Sequence, residues 1–231
     1  MDNREIAEKL KEALRLRYEP VAVTLVREGE EPPDGYKIPD KQMSHCQSVM
    51  AAARGEKFLL PSDMHSCKNG ASALGMTEVP AKTASGDFYH NAGMFKSPEA
   101  AKRMVDQRST VPFKVTHTAV GPLKDADRKP DVVIIEDIPE RIYWVIPMAL
   151  YHEGGRVDFN TAPYNACCVD VVARPLTTGR INISLGCFGC RKRTELRPEE
   201  MLVGIPFDEI PRMMDALENL STGIMTKAVR D

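Results

Sequence analysis

The residues with the most chemistry to offer in this chain are six cysteines, Cys46, Cys67, Cys167, Cys168, Cys187 and Cys190. Two of them close a C-x-x-C pair in SLGCFGCRKR, residues 184–193, where Cys187 follows Gly186, Cys190 follows Gly189, and Arg191, Lys192 and Arg193 come next. The thiolate is the form that binds metal or attacks as a nucleophile, and helix N-termini and nearby cations favour it. Backbone N–H groups of a glycine-flanked turn can point at sulfur, and together with three cations they suit an anionic, sulfur-rich centre.

The C-x-x-C pair alone fits zinc, an iron–sulfur cluster or a redox dithiol. A structural zinc ribbon pairs two such knuckles, and this chain has one. One pair plus two distant single cysteines fits a [4Fe–4S] cluster with Cys46, Cys67, Cys187 and Cys190 as ligands. A thioredoxin-like dithiol needs a long helix after the motif, and Pro198 stops one within a few residues. Cys167 reads as a small buried hydrophobe. His45 and His65 stand beside Cys46 and Cys67 as candidate ligands or proton donors, and Asp63 and Asp170 are acid–base candidates only if a substrate binds at the centre. Residue pattern alone assigns none of these four a role.

These residues need elements to hold them. Helical spacing over residues 3–17 predicts an amphipathic helix. The β-rich runs at 21–26, 57–60, 114–120, 131–136, 156–159 and 180–185 predict strands. Residues 44–54 read as a helix with Cys46 in its first turn, and 66–74 as a short helix with Cys67 at its start. Ser97-Pro98-Glu99 opens a helix to about 107. Residues 139–150 and 164–172 read as helices, the second carrying Cys167 and Cys168. Arg197-Pro198-Glu199-Glu200 reads as a helix start, and 208–220 as an amphipathic helix. Strands alternating with helices make the class α/β or α+β, one compact unit of mixed sheet and helices.

The two halves echo each other. A strand, a helix-borne cysteine, a glycine, a second strand and another cysteine run through 21–67, then again through 132–187. Cys67 follows Cys46 by 21 positions, and Cys187 follows Cys167 by 20 and Cys168 by 19. A true duplication would make two pseudo-repeated lobes, 1–110 and 111–231, with their cysteine loops facing across a pseudo-twofold.

Composition narrows the partners. With 42% apolar residues the 231-residue chain can build a core. Its 31 basic and 33 acidic side chains, a net charge of −2, create no global field for nucleic acid. Apolar runs such as 144–150 are too short to span a bilayer. The start, MDNREIAEKLKEALRLR, is charged from its second residue with no signal core. The expected place is the cytoplasm, where thiols stay reduced.

The blocks RYEPVAV (17–23), CQSVMAAARGEKFLL (46–60), SCKNGASALGM (66–76), ACCVD (166–170) and SLGCFGCR with EMLVGIPF (184–207) resemble the DUF169 family, also called the archaeal ArCR proteins. The resemblance covers nearly the whole chain. The family pattern has cysteines at the positions of Cys46, Cys67, Cys168, Cys187 and Cys190, and often another residue at that of Cys167. Many members have proline where this chain has Lys68. The resemblance implies the redox setting of archaea and anaerobic bacteria without supplying a reaction. It makes Cys168 an accessory thiol or an alternative fourth ligand. The expectation is an iron–sulfur protein acting in electron transfer or in a cluster-based redox or Lewis-acid reaction. A ferredoxin-like partner, a small-molecule substrate and a homo-oligomer are compatible with it. The alternatives are a zinc-stabilised partner-binding module and a thiol enzyme with Cys187 as nucleophile.

Overall fold

The structure, a computed structural model, describes residues 1–227. Its frame is a six-stranded sheet of β1 (Val21–Arg27), β2 (Phe58–Pro61), β3 (Val115–Pro122), β4 (Val132–Asp137), β5 (Asn182–Ser184) and β6 (Met201–Pro206). The spatial order is β2-β3-β1-β4-β6-β5. Every pairing is antiparallel. The mixed helix-and-strand class read from the sequence is the one observed.

Exchanging β1 with β4, β2 with β5 and β3 with β6 returns the same order read backwards. The two central strands, β1 and β4, are antiparallel neighbours, as a twofold normal to the sheet requires. The echo of cysteines is therefore an echo of topology. β3 pairs with both β1 and β2, so the halves divide between β3 and β4, and a division at 110 would part β3 from its partners.

Period-two alternation splits the core in two. Val21, Val23, Leu25, Val132, Ile134 and Leu202 point to the face carrying the cysteines. Ala22, Val133, Ile135, Val203 and Ile205 point to the other. That other face is covered by helices Asn3–Ala13, Val145–Leu150 and Ile210–Thr222. The cysteine face is covered by helices His45–Ala53 and Lys68–Ala73 and by a π-helix, Ala166–Ala173. Burial on both faces explains why β4 reads as an unbroken apolar run rather than an alternating one.

Several local expectations change. The segment after Arg197 turns once and enters β6 instead of a helix: MLVGIP is β-rich, and its edge to β4 is open only to a strand. Residues 139–150 form two short helices, Pro139–Ile142 and Val145–Leu150. Residues 156–159 take no strand. The helix expected at 164–172 is the π-helix.

Helix His45–Ala53 is fixed at both ends. Ser44 caps it, taking the Gln47 N–H at 3.4 Å while Gln47 Oε1 accepts the Ser44 N–H at 2.9 Å. At its far end Arg54 clamps Glu136 of β4 with two bonds of 3.0 Å. Glu136, Asp137 and Glu200 are buried together there, with Arg17 hydrogen-bonded to Asp137 at 2.8 Å and ion-paired with Glu200 at 3.2 Å. Among the described residues no helix is long and apolar enough to cross a membrane.

Candidate functional site

Cys67 and Cys187 occupy equivalent places in the two halves. Each follows an edge strand and N-caps a six-residue helix, Lys68–Ala73 or Phe188–Arg193. Each sulfur accepts the N–H three residues on, from Gly70 and Cys190, both at 3.4 Å. A thiol thus fills the role usually taken by Ser, Thr or Asp. Cys46 sits in the first turn of its own helix, 3.0 Å from Ser44 Oγ. Because the twofold keeps one face of the sheet on one side, all of these thiols converge.

They line one cavity of about 270 Å³, which Cys46, Cys67, Cys168, Cys187 and Cys190 share with Cys167. Every cysteine singled out in the sequence reaches it, and Cys167, expected to stand apart in the core, reaches it as well. The π-helix is the reason. It is buried along its whole length, so both Cys167 and Cys168 face packed neighbours, Cys167 meeting Cys190 Sγ at 3.5 Å.

Cys190 is the hub. Its sulfur lies 3.3 Å from Cys187 Sγ and 3.5 Å from Cys167 Sγ. Its neighbours Cys167, then Cys187 and Cys46, together with burial, push its thiol up. The neighbouring Cys190 draws Cys187 down against burial, helped by backbone N–H groups. It draws Cys46 down too, with Ser44 assisting. For Cys167 the same neighbour is outweighed by burial, which takes the thiol up to about 11. Burial also raises Cys67 and, more strongly, Cys168. Cys46 and Cys187 are therefore the thiolate-prone pair.

Cys67 and Cys168 meet over Gly70. A methyl at Gly70 would stand 3.5 Å from Cys67 Sγ, 3.4 Å from Cys168 Sγ and 3.3 Å from the His65 ring. Glycine leaves that space to the cavity. Gly70→Ala is expected to fold, since these contacts are tight but not clashing, and to narrow the cavity; a thermal melt beside the wild type checks the fold.

His45 and His65 are 2% and 0% exposed, and all four of their ring nitrogens lack a partner among the described residues. Burial, with His65 nearby, holds His45 at about 3 instead of 6.5. Burial, with Lys68 adding, holds His65 at about 4. Both are neutral imidazoles, able to ligate or to share a hydrogen bond. Between about 6.5 and 4 the unfolded chain binds protons that the folded one refuses, so stability must fall with acidification across that window. Urea unfolding at about pH 7 and about pH 5 should show this loss; replacing His65 with Asn should remove about half of it, His45 keeping the rest.

The other candidates fall away from the cavity wall. Asp63 is solvent-facing, with its carboxylate on the Met64 N–H at 3.0 Å. Asp170 is raised by burial to about 7. Its Oδ2 accepts Thr161 at 2.8 Å and Ser184 at 2.6 Å, which ties the π-helix to β5. The three cations after Cys190 separate. Arg191 is a clip whose guanidinium binds the carbonyls of Leu185, Arg197 and Glu200. Lys192 lies over the Phe188 ring, and Arg193 lines the cavity.

Sequence reasoning missed much of the remaining wall, Phe88, Tyr89, Tyr164 and Asn165 among it. Asn165 has φ 69°, in the left-handed region. Its side chain accepts the Tyr89 hydroxyl at 2.7 Å and donates to Cys168 Sγ at 3.6 Å. The signal available was the residue type, since asparagine is among the few that tolerate this backbone. Among the described residues no three His, Cys, Asp or Glu side chains stand ready around a single ion.

Residues 9–216 match the family described as DUF169, uncharacterised ArCR. A protein of the archaeon Methanocaldococcus jannaschii, named "Uncharacterized protein MJ0308", is 35% identical over 218 residues, which cover 94% of each chain. No solved structure matches. With the ordered motifs, the match over most of its length and this relative, the chain belongs to the DUF169 (ArCR) family.

Proposed function

We propose that the cavity binds a [4Fe–4S] cluster and that the protein acts in electron transfer or in a cluster-based redox or Lewis-acid reaction. The observation that carries this reading is the donor set: six thiols and two unpartnered neutral imidazoles around one cavity. Soft sulfur donors select iron–sulfur clusters, zinc or copper(I). The glycine at 70 keeps space open beside two of the sulfurs. Cys46, Cys67, Cys187 and Cys190 would hold the cluster, with Cys168 as a neighbouring thiol or replacement fourth ligand. When bound, such a cluster supplies one-electron chemistry or, at an iron with a free position, Lewis acidity. The chain's own contribution is the backbone N–H groups aimed at Cys67 and Cys187, which stabilise thiolate charge. The protein side of the cavity mouth offers Lys192 and Arg193 to an acidic carrier of the ferredoxin kind.

A second reading has its own observation. Cys187, drawn down at a helix N-cap and 3.3 Å from the raised Cys190, has the pairing of a nucleophilic and a resolving thiol. A third, a zinc-stabilised module, uses the same thiols without redox chemistry. Purification without oxygen, followed by iron, sulfide and zinc analysis, separates them. Iron and sulfide in equal amounts with visible absorption bleached by dithionite support the cluster. Stoichiometric zinc supports the module. A colourless, metal-free protein that exchanges with disulfides supports the dithiol and ends the cluster reading.

A further inference from the structure

We propose that a second cavity, which shares Tyr164 and Asn165 with the thiol cavity, binds the carboxylate or phosphate group of a small organic anion through Arg103 and Arg108. This cavity measures about 320 Å³ and lies between the end of helix Pro98–Asp106 and the loop at 160–165. That is the lower end of the range for small-molecule sites, roughly 300–1,000 Å³.

Arg108 is in no salt bridge among the described residues, and Arg103 has the exposed Glu99 one helical turn before it. Arg108 donates from Nη2 to Ser72 Oγ at 3.1 Å, while its Nη1 is buried with no partner among the described residues. A guanidinium placed this way leaves an unmet hydrogen-bond donor and an uncompensated charge, each of which costs stability until an anion arrives. Asp106, the nearest acid in sequence, is taken by Lys102 at 2.6 Å. Asp170, the acidic residue in the cavity wall, turns its Oδ2 to Thr161 and Ser184. Two guanidinium forks, with Gln107 and Asn160 beside them, match the planar or tetrahedral oxygens of a carboxylate or phosphate.

The place of the cavity gives it functional meaning. Ser72 belongs to the helix that Cys67 caps. Asn165 in the shared wall reaches Cys168. An anion held by Arg108 therefore lies across one layer of side chains from the thiols, as the handle of a substrate would. The inference does not rest on what the thiols hold.

Isothermal titration of the full protein with inorganic phosphate, and separately with succinate, at constant ionic strength tests it, both as purified and after metal removal. One saturable site is expected for at least one probe, and the probe that binds tells phosphate from carboxylate. Arg108→Gln and Arg103→Gln should each weaken binding roughly tenfold or more. Arg180→Gln, in a different cavity, should leave it unchanged. If Arg108→Gln fails to fold through loss of its Ser72 bond, Arg103→Gln decides. No saturable binding of either probe, or binding unaltered in the arginine variants, or binding equally lost in Arg180→Gln, overturns the proposal. Failure of the cluster reading would leave these titrations unaffected.

Discussion

On the cluster reading proposed above, Cys190→Ser protein purified without oxygen is expected to contain almost no iron or sulfide, and Cys187→Ser to lose most of both. The two thiols leave one short turn, and Cys190 touches Cys187 and Cys167 directly. Serine keeps the shape of the turn but removes the soft, acidic sulfur that iron selects. Its hydroxyl also cannot release a proton as metal loading requires. Cys167→Ser should keep most of the metal, because Cys167 is the most dispensable thiol by the family pattern, although its contact with Cys190 makes it the nearest substitute. Full metal content in both Cys187→Ser and Cys190→Ser would sink the ligand assignment, and loss with Cys167→Ser alone would reverse it. Far-ultraviolet circular dichroism must accompany the metal analysis, so that lost ligation is told from lost folding.

A large effect on stability is expected at a glycine outside the cavity wall, Gly204. A methyl on Gly204 of β6 would lie 2.2 Å from the Val171 carbonyl oxygen and 2.7 Å from that residue's Cα. These are backbone atoms of the π-helix, so no rotamer change can relieve the clash. The π-helix must lift from the sheet or β6 must bend. Overpacking of this kind costs about 3 kcal/mol, and more where backbone is involved. Gly204→Ala should therefore unfold at clearly lower denaturant and, on the cluster reading, also hold less metal, since the lifted helix carries Cys167 and Cys168. A denaturant midpoint within error of the wild type would mean that the π-helix does not press on the sheet as described.

Much of the frame was legible. The helix at 3–13, β1, β2, β4, the helix at 45–53 and the Ser97-Pro98 helix start follow from periodicity and caps, which are local properties of the chain. β6 was not. Its MLVGIP run sits behind a helix-like Arg-Pro-Glu-Glu start, and only the vacancy between β4 and β5 decides that it pairs. The π-helix was not legible either: whether a turn closes on i+4 or i+5 depends on what packs beneath it, and here that is Gly204.

For the site, the sequence by itself determined the inventory of thiols, the glycine-flanked C-x-x-C and the repetition of strand and cysteine in two halves. The repetition was readable because each half is built from short-range signals that recur at nearly equal spacing. The tertiary structure alone decided that the halves share one antiparallel sheet, that their cysteine loops lie on one face of it, and that Cys167 joins them. It alone placed His45 and His65 in the cavity wall, and it turned Arg191 from a surface cation into a clip on three carbonyls. The physical reason is the same in each case. A local pattern sets which way a side chain leaves its own element, but what it meets there is set by the elements packed against it, more than a hundred residues away in the chain for Cys46 and Cys190.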